Sequence, residues 1–165
     1  MTSPNLRHAV RAVILNEEDR ILLCRFVLSE PSGTIVVWAA PGGGVKPDET
    51  PLDALRRELR EEVGLILDNE PPHVWHQEAV DPGIAKGYDG IVNDYFLVRT
   101  TSFMPRGSLT NEQLAAENIK GMRWWQPQEI LEYHGVDLFS PRNLGTPLAA
   151  LIAEGIPSRP IRLGL

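Results

Sequence analysis

The sequence predicts an α/β fold in which a mixed β-sheet carries helices on its faces. Three observations point to it. Runs rich in Val, Ile and Leu recur along the chain, one strongly patterned helix follows a glycine cluster, and strands and helices succeed one another without strict alternation. A length of 165 residues, with 42% hydrophobic and 23% charged content, suits a single domain over 1–165 with a sizeable core.

His8 to Leu15 and Ile21 to Leu28 read as two strands, and Asn16-Glu-Glu-Asp-Arg20 between them as the polar turn of a hairpin. Thr34 to Ala40 is a third β-prone run, and the Pro41-Gly-Gly-Gly44 cluster that ends it reads as a loop. Thr50 is a suitable N-cap, Pro51 fits the first helical position, and Asp53 adds negative charge to the first turn, so a helix is expected from Pro51 to Val63 with Gly64 as its stop. His73 to Val80 and Ile91 to Thr100 read as further strands, separated by turns at Asp81-Pro-Gly and Lys86-Gly-Tyr-Asp-Gly90. Met122 to Gln126 is a short aromatic strand, while Gln128 to Tyr133 and Leu148 to Ala153 read as helices. The Pro-rich stretch 157–165 reads as an exposed tail.

Charge and composition exclude several function classes. A formal net charge of -6 argues against a surface built to neutralise the phosphates of DNA or RNA, so no nucleic-acid partner is expected. Small anionic ligands stay open if a metal ion bridges the repulsion. Cys24 is the only cysteine and lies in an apolar run, which suits a structural thiol in a reducing compartment, and the cytoplasm is the expected location. The apolar stretch Ala9 to Leu15 is short and interrupted by Arg11, so it reads neither as a signal-peptide core nor as a membrane span.

The predicted helix breaks a local rule. Leu52, Leu55, Leu59 and Val63 fall on one stripe that can pack on a sheet. Glu58, Glu61 and Glu62, at i, i+3 and i+4, form a neighbouring patch of carboxylates. Like charges at this spacing cost about 0.2–0.5 kcal/mol per pair, and the helix dipole disfavours anions in the last turn by about 0.3–1 kcal/mol each. Arg57 can pair with Glu61 at i+4, but the arginines do not obviously neutralise Glu58 and Glu62. A Glu-rich helix face is ordinarily just solvated. Here a hard divalent cation, which prefers oxygen ligands and retains waters, would account for the strain. Gly42, Gly43 and Gly44 permit close approach of backbone to ligand or helix.

The string from Gly43 to Leu65 resembles the Nudix box: glycine, five residues, Glu49, seven residues, then Arg57-Glu58-Leu59-Arg-Glu61-Glu62-Val-Gly64-Leu65, with every defining position matched. The resemblance implies a Nudix-type α/β/α sandwich with a mixed β-sheet and the box helix packed beside it. It also implies a Mg²⁺-dependent pyrophosphohydrolase, with Mn²⁺ a substitute, that cleaves a nucleoside diphosphate linked to another group by attack of water at phosphorus. By the same resemblance Glu58 and Glu62 look like the principal metal ligands, with Glu61 a further ligand or candidate base. Arg57 would orient the glutamates, and Glu49 would support the site. Relatives of this kind often supply another acidic ligand from a downstream loop, for which Glu117, ahead of Arg123-Trp124-Trp125, is the candidate and Glu112 the weaker one.

On the substrate side, Arg25 and Arg11 lie on predicted strands from which a guanidinium could clamp a phosphate, although Arg11 reads more simply as a surface residue. Trp38 and Tyr95 are candidates for stacking on a base or ribose, although a buried place in the core is the more common outcome for such aromatics, and Gly43 and Gly44 are candidates for contact with the substrate. The signature of NADH-cleaving relatives is missing, and Leu22-Leu23-Cys24-Arg25 resembles that of coenzyme A-cleaving relatives only loosely, with its phenylalanine lacking at Ala40-Pro41-Gly42, so a nucleoside triphosphate, an ADP-ribose-like compound and other small nucleotide conjugates all stay open. Two rival readings stand beside the enzyme. One is a non-catalytic Nudix-like nucleotide sensor, whose usual mark, a lost box glutamate, is missing. The other is an interaction protein, or homodimer, using the Trp124-Trp125 and tail surfaces.

Overall fold

Strand β1 (Leu6–Leu15) buries both of its faces, Val10, Ala12 and Ile14 on one side and Val13 and Leu15 on the other, as expected of a central strand. The structure is a computed structural model and describes residues 2–165. After β1 the chain turns on Asn16, whose side-chain oxygen accepts from the backbone of Glu18 and Arg20. It continues through β2 (Ile21–Glu30), β3 (Gly33–Ala39), β4 (Gly42–Gly44) and helix α1 (Pro51–Glu62). Then come β5 (His73–Val80), β6 (Gly90–Arg99), α2 (Asn111–Ala116), β7 (Ile119–Trp125) and α3 (Pro127–Leu131). The chain ends with β8 (Leu138–Ser140), α4 (Gly145–Glu154) and β9 (Ile161–Leu163).

One curled mixed sheet joins these strands in the order β8-β3-β2-β1-β6-β5-β9, with β4 branching from β1 and β7 from β2. β1 is parallel to β6, β3 to β8 and β5 to β9, and the remaining pairs are antiparallel. Helix α1 covers one face, where Ala54, Leu55, Leu59 and Val63 meet Val10, Ala12, Ile14 and Leu22. Ile130, Leu144, Leu148 and Leu151, from α3, α4 and the turn before α4, cover the other face, against Val13, Leu23, Trp38, Tyr95 and Trp125. This is the α/β/α layering expected from the sequence. Each fully buried Leu or Val contributes about 1.5–3 kcal/mol of transfer free energy, so both faces are firmly held.

Several local expectations are corrected. β1 and β2 do not form a hairpin ladder, because they pair only at Leu15 and Ile21 before diverging. The flank of β1 is taken instead by β4, in the register Ala9 to Gly44, Val10 to Gly43 and Arg11 to Gly42. The glycine cluster is therefore partly strand, not simply a loop. Gly42 has a φ of 149°, and a Cβ there would collide with the carbonyl of Val10, so only glycine lets the two backbones approach this closely. The C-terminal segment is mostly exposed, yet it does not hang free: β9 pairs with β5, and the Gly164 carbonyl accepts from Gln77 Nε2 at 2.7 Å.

Trp125 belongs to the core and Trp124 is half-buried. Trp125 is 2% exposed and packed edge-on to Trp38 and Phe139, while Trp124 packs on Phe103 and donates its indole N–H to the Phe103 carbonyl. Among the described residues no helix is long and apolar enough to cross a membrane.

Candidate active site

The local chemistry of α1 places its carboxylates. The Thr50 hydroxyl accepts from the Asp53 backbone N–H at 3.1 Å and Asp53 answers to the Thr50 N–H, a reciprocal cap that fixes where the helix starts. With the register set, the buried stripe does not stop at the leucines. Glu58 is 8% exposed and Glu62 only 1%, so neither belongs to a solvated face. Their neighbour Glu61 is half-buried, lying 3.6 Å from Arg57.

Gly43 and Gly42 form the wall that these carboxylates touch. A Cβ on Gly43 would stand 2.5 Å from Glu58 Oε1, so the absence of a side chain there is what admits the carboxylate. The backbone N–H of Gly42 donates to Glu62 Oε1 at 3.1 Å.

Arg57 is the hub of the site. Its Nε and Nη2 donate to the two oxygens of Glu49, both at 2.8 Å, its Nη1 donates to Glu58 Oε1 at 2.8 Å, and Nη2 also reaches the Gly44 carbonyl at 3.1 Å. The sequence suggested that no arginine neutralises Glu58. Arg57 does so from the adjacent position, because Glu58 turns back toward it. Hydrogen bonds from Arg57 and from the Lys46 backbone hold the Glu49 carboxyl down at about 2, and Arg57 is held charged well above its ordinary range, chiefly by Glu49.

A segment without regular structure then completes the site. The backbone N–H groups of Arg106, Ser108 and Leu109 donate to the carbonyls of Val63, Arg60 and Glu61, satisfying the end of α1 that the acidic last turn would otherwise leave poorly capped. Gly64, with a φ of 79°, and Gly107 make this close crossing possible. The crossing sets the entry to α2, and Glu117 at the C-terminal cap of that helix arrives beside α1.

Glu58, Glu62 and Glu117 each offer a carboxylate oxygen within 4.8 Å of the others. Burial, and then the Glu58 carboxylate beside it, push Glu62 up to about 9, with Arg11 opposing. Glu117 is raised too, by burial first and then by Glu58 and Glu61. Glu62 Oε2 is buried with no hydrogen-bond partner. A hard divalent cation fits these residues: it would engage the orphaned oxygen, neutralise three converging carboxylates, and meet the oxygen donors it prefers.

The other candidates fall in different places. Glu112 is exposed on α2 and stands outside the cluster. Gly44 serves the site through its carbonyl to Arg57. Arg25 is half-buried on β2 and, among the described residues, takes part in no ion pair. Trp38 and Tyr95 are corrected from stacking residues to core. Trp38 is 7% exposed and donates its indole N–H to Asp137, while Tyr95 is 1% exposed and packs against Trp75. Neither ring offers a face to a ligand.

Sequence reasoning undervalued Arg11. It is half-buried on β1, donates to the Ala40 carbonyl at 2.8 Å, and is the one basic group whose field lowers Glu62. Its position inside an apolar strand was the available signal. The docking of 106–109 on α1 had no signal beyond Gly107.

Comparison with known proteins identifies the family and agrees with the fold. A NUDIX domain model matches residues 5–142. The human 8-oxo-dGDP phosphatase NUDT18 is 39% identical over 127 residues, covering 77% of this chain and 34% of that protein, so the chain spans about a third of its length. The nucleoside triphosphatase NudI of Escherichia fergusonii is 29% identical over 123 residues, 73% of this chain and 82% of NudI. In fold, the solution structure of the E. coli ORF135 protein superposes with a TM-score of 0.65 at 23% identity, covering 94% of this chain and 96% of that one.

Proposed function

Because the chain belongs to the Nudix hydrolase superfamily, we propose that it is a Mg²⁺-dependent pyrophosphohydrolase acting in the cytoplasm on a small nucleotide derivative. The observation that carries the reading is the meeting of Glu58, Glu62 and Glu117 around a buried carboxylate oxygen with no protein partner. The named activities of NUDT18 and NudI, on a nucleoside diphosphate and on nucleoside triphosphates, support the substrate class.

Each residue has a distinct task in this reading. Glu58, Glu62 and Glu117 would hold Mg²⁺, or Mn²⁺ in its place, which supplies charge neutralisation for the diphosphate oxygens and acidifies the attacking water. Arg57 holds Glu58 and Glu49 in one orientation, so that the acidic face is preorganised. Glu61, on the same helix and not tied into the triad, is the candidate to accept a proton from the water. Arg11, whose charge reaches Glu62, is a cation available to the departing phosphate, and Gly43 lets backbone and substrate approach closely.

The test is a panel of nucleoside di- and triphosphates, ADP-ribose and dinucleoside polyphosphates, with products identified and the reaction run in ¹⁸O-labelled water. Release of a nucleoside monophosphate from a diphosphate-linked substrate, with label in one product, is expected only when a divalent ion is present. Tight nucleotide binding without product in Mg²⁺ or Mn²⁺ would overturn the enzyme in favour of a sensor.

A further inference from the structure

Three of the chain's four histidines converge on one carboxylate away from the box helix. His8 Nε2 lies 2.7 Å from Asp94 Oδ2, His76 Nδ1 lies 2.7 Å from Asp94 Oδ1, and His73 Nε2 lies 2.9 Å from the same oxygen. Three strands supply them: His8 from β1, Asp94 from β6, and His73 and His76 from β5.

The backbone explains the convergence. His76 stands opposite Asp94 in the antiparallel β5–β6 pairing, so their side chains share a face. His8, opposite Val92 on the parallel neighbour, lies on that face one pleat away. His73 is three residues from His76, and in a regular strand such a pair would point to opposite faces. The register shift between His73 and Trp75 cancels that alternation and turns His73 toward Asp94, where its ring stacks on Phe96 with centroids 5.0 Å apart. A bulge that re-aims one side chain into a cluster is a common device beside functional sites.

The donor chemistry differs from that of the acidic cluster. Ligand atoms of His73, His76 and Asp94 all lie within 4.8 Å of one another. The other nitrogen of His76, Nε2, faces Glu78 Oε2 at 3.3 Å, which is the carboxylate–imidazole arrangement that fixes the tautomer and orientation of a metal-binding histidine. Side-chain exposures of 38% for His8, 35% for His73, 25% for His76 and 14% for Asp94 leave an entry from solvent while walling the carboxylate in. Imidazoles with one carboxylate suit Zn²⁺, whereas Mg²⁺ takes oxygen donors. Ligand atoms around a tetrahedral Zn²⁺ sit about 2.0–2.2 Å from it, so the His73 and His76 nitrogens need to draw back from Asp94 Oδ1 by less than about 1 Å, which side-chain rotation supplies.

We propose that His73, His76 and Asp94 form a second metal site that takes Zn²⁺ with water completing its four ligands, while His8 holds the other oxygen of Asp94 from β1. The site shares no residue with the box cluster and does not depend on the catalytic reading.

Tag-free full chain, stripped with chelator, is titrated with Zn²⁺ against a chromogenic competitor and with Co²⁺ followed by visible absorption. A Glu58→Gln/Glu62→Gln background removes the box cluster, and wild-type protein in excess Mg²⁺ serves the same purpose should that variant not melt cooperatively. One equivalent of Zn²⁺ is expected to persist in either background, with the intense Co²⁺ spectrum of a tetrahedral nitrogen site. His76→Ala and, separately, Asp94→Asn should weaken it by about tenfold or more. They should also reduce the rise in melting temperature that a fixed Zn²⁺ concentration gives the parent protein. Absence of stoichiometric Zn²⁺ in both backgrounds, or affinity unchanged in both His76→Ala and Asp94→Asn, overturns the site.

Discussion

The Gly42 backbone N–H donates to Glu62 Oε1 at 3.1 Å, while the second oxygen of the same carboxylate, Oε2, is buried with no partner. One oxygen is thus committed to the strand that carries the glycines, and the other is held for something the chain does not provide. Burying a carboxylate this deeply, beside Glu58, is tolerable in two states only: protonated, or bound to a cation. The residue at the end of the box helix is therefore a two-state group, and much of the chain's behaviour should follow from which state it occupies.

Glu62→Gln keeps the shape and the acceptor for Gly42 but removes the ligand charge. Turnover of any substrate found in the panel should fall by about a hundredfold or more, while the metal-free variant melts no lower than the parent, because burial and the neighbouring Glu58 favour the protonated form of Glu62 in the metal-free parent. Steady-state kinetics in a metal-controlled buffer and a thermal melt decide the matter. Parental turnover would remove Glu62 from the site.

Protonation of Glu62 also gives a pH signature. Its pKa rises on folding from an ordinary value of 4.5 to about 9, so between these values the folded, metal-free chain binds more protons than the unfolded one. The associated stability is fully present below about 4.5 and is lost as pH climbs through about 9. Melting temperature without metal should decline across that window, and saturating Mg²⁺ should flatten the decline. Mg²⁺ binding at pH 7 should expel about one proton, measured by calorimetry in buffers of different ionisation enthalpy, and none above the raised pKa. Equal heats in all buffers at pH 7 would contradict a protonated resting state.

Gly43→Ala tests the wall rather than the ligand. The new Cβ would stand 2.5 Å from Glu58 Oε1 and 2.7 Å from its Cδ, so Glu58 must swing away from both Arg57 and Glu62. Divalent-metal affinity should drop by about 10- to 100-fold, comparable to losing a group that orients a ligand. Gly164→Ala, with nothing within 4 Å of its Cβ, should leave affinity unchanged. A calorimetric titration of both variants separates steric displacement of Glu58 from a general sensitivity to added methyl groups.

What could be read from the sequence was whatever one segment determines by itself. Thr50, Pro51 and the leucine stripe specify α1, and from its periodicity Glu58, Glu61 and Glu62 follow as a patch. The strands β5 and β6 were legible from composition alone. Long-range pairing was not: Asn16 shapes a turn, but the competition between β2 and β4 for the flank of β1 is decided by how closely Gly42 can approach Val10. Trp38 and Tyr95 misled because an aromatic residue on a strand reads the same whether its ring faces the core or a ligand. Arg11 misled in the opposite direction: its apolar strand was a signal, but the Ala40 carbonyl that holds it inward comes from another segment.

Glu117 and Glu112 show the same limit and offer the sharpest comparison. Both sit in or beside α2, five residues apart, and only their approximate position ranked Glu117 above Glu112 in the sequence. The structure does, because the docking of 106–109 on the end of α1 points Glu117 at Glu58 and Glu62 and leaves Glu112 exposed on the first turn. Glu117→Gln should lower kcat/KM by about tenfold and raise the metal concentration needed for half-maximal rate, since one of three ligand charges is gone. It should also raise metal-free stability, because burial, the chief cause that lifts the Glu117 pKa, and then repulsion from Glu58 and Glu61 no longer act on a charge. Glu112→Gln should leave activity within about twofold of the parent, as for an ordinary surface substitution. Parallel metal titrations of the two variants carry the decision: equal behaviour would mean that Glu117 stands near the site without serving it, and that only α1 contributes ligands.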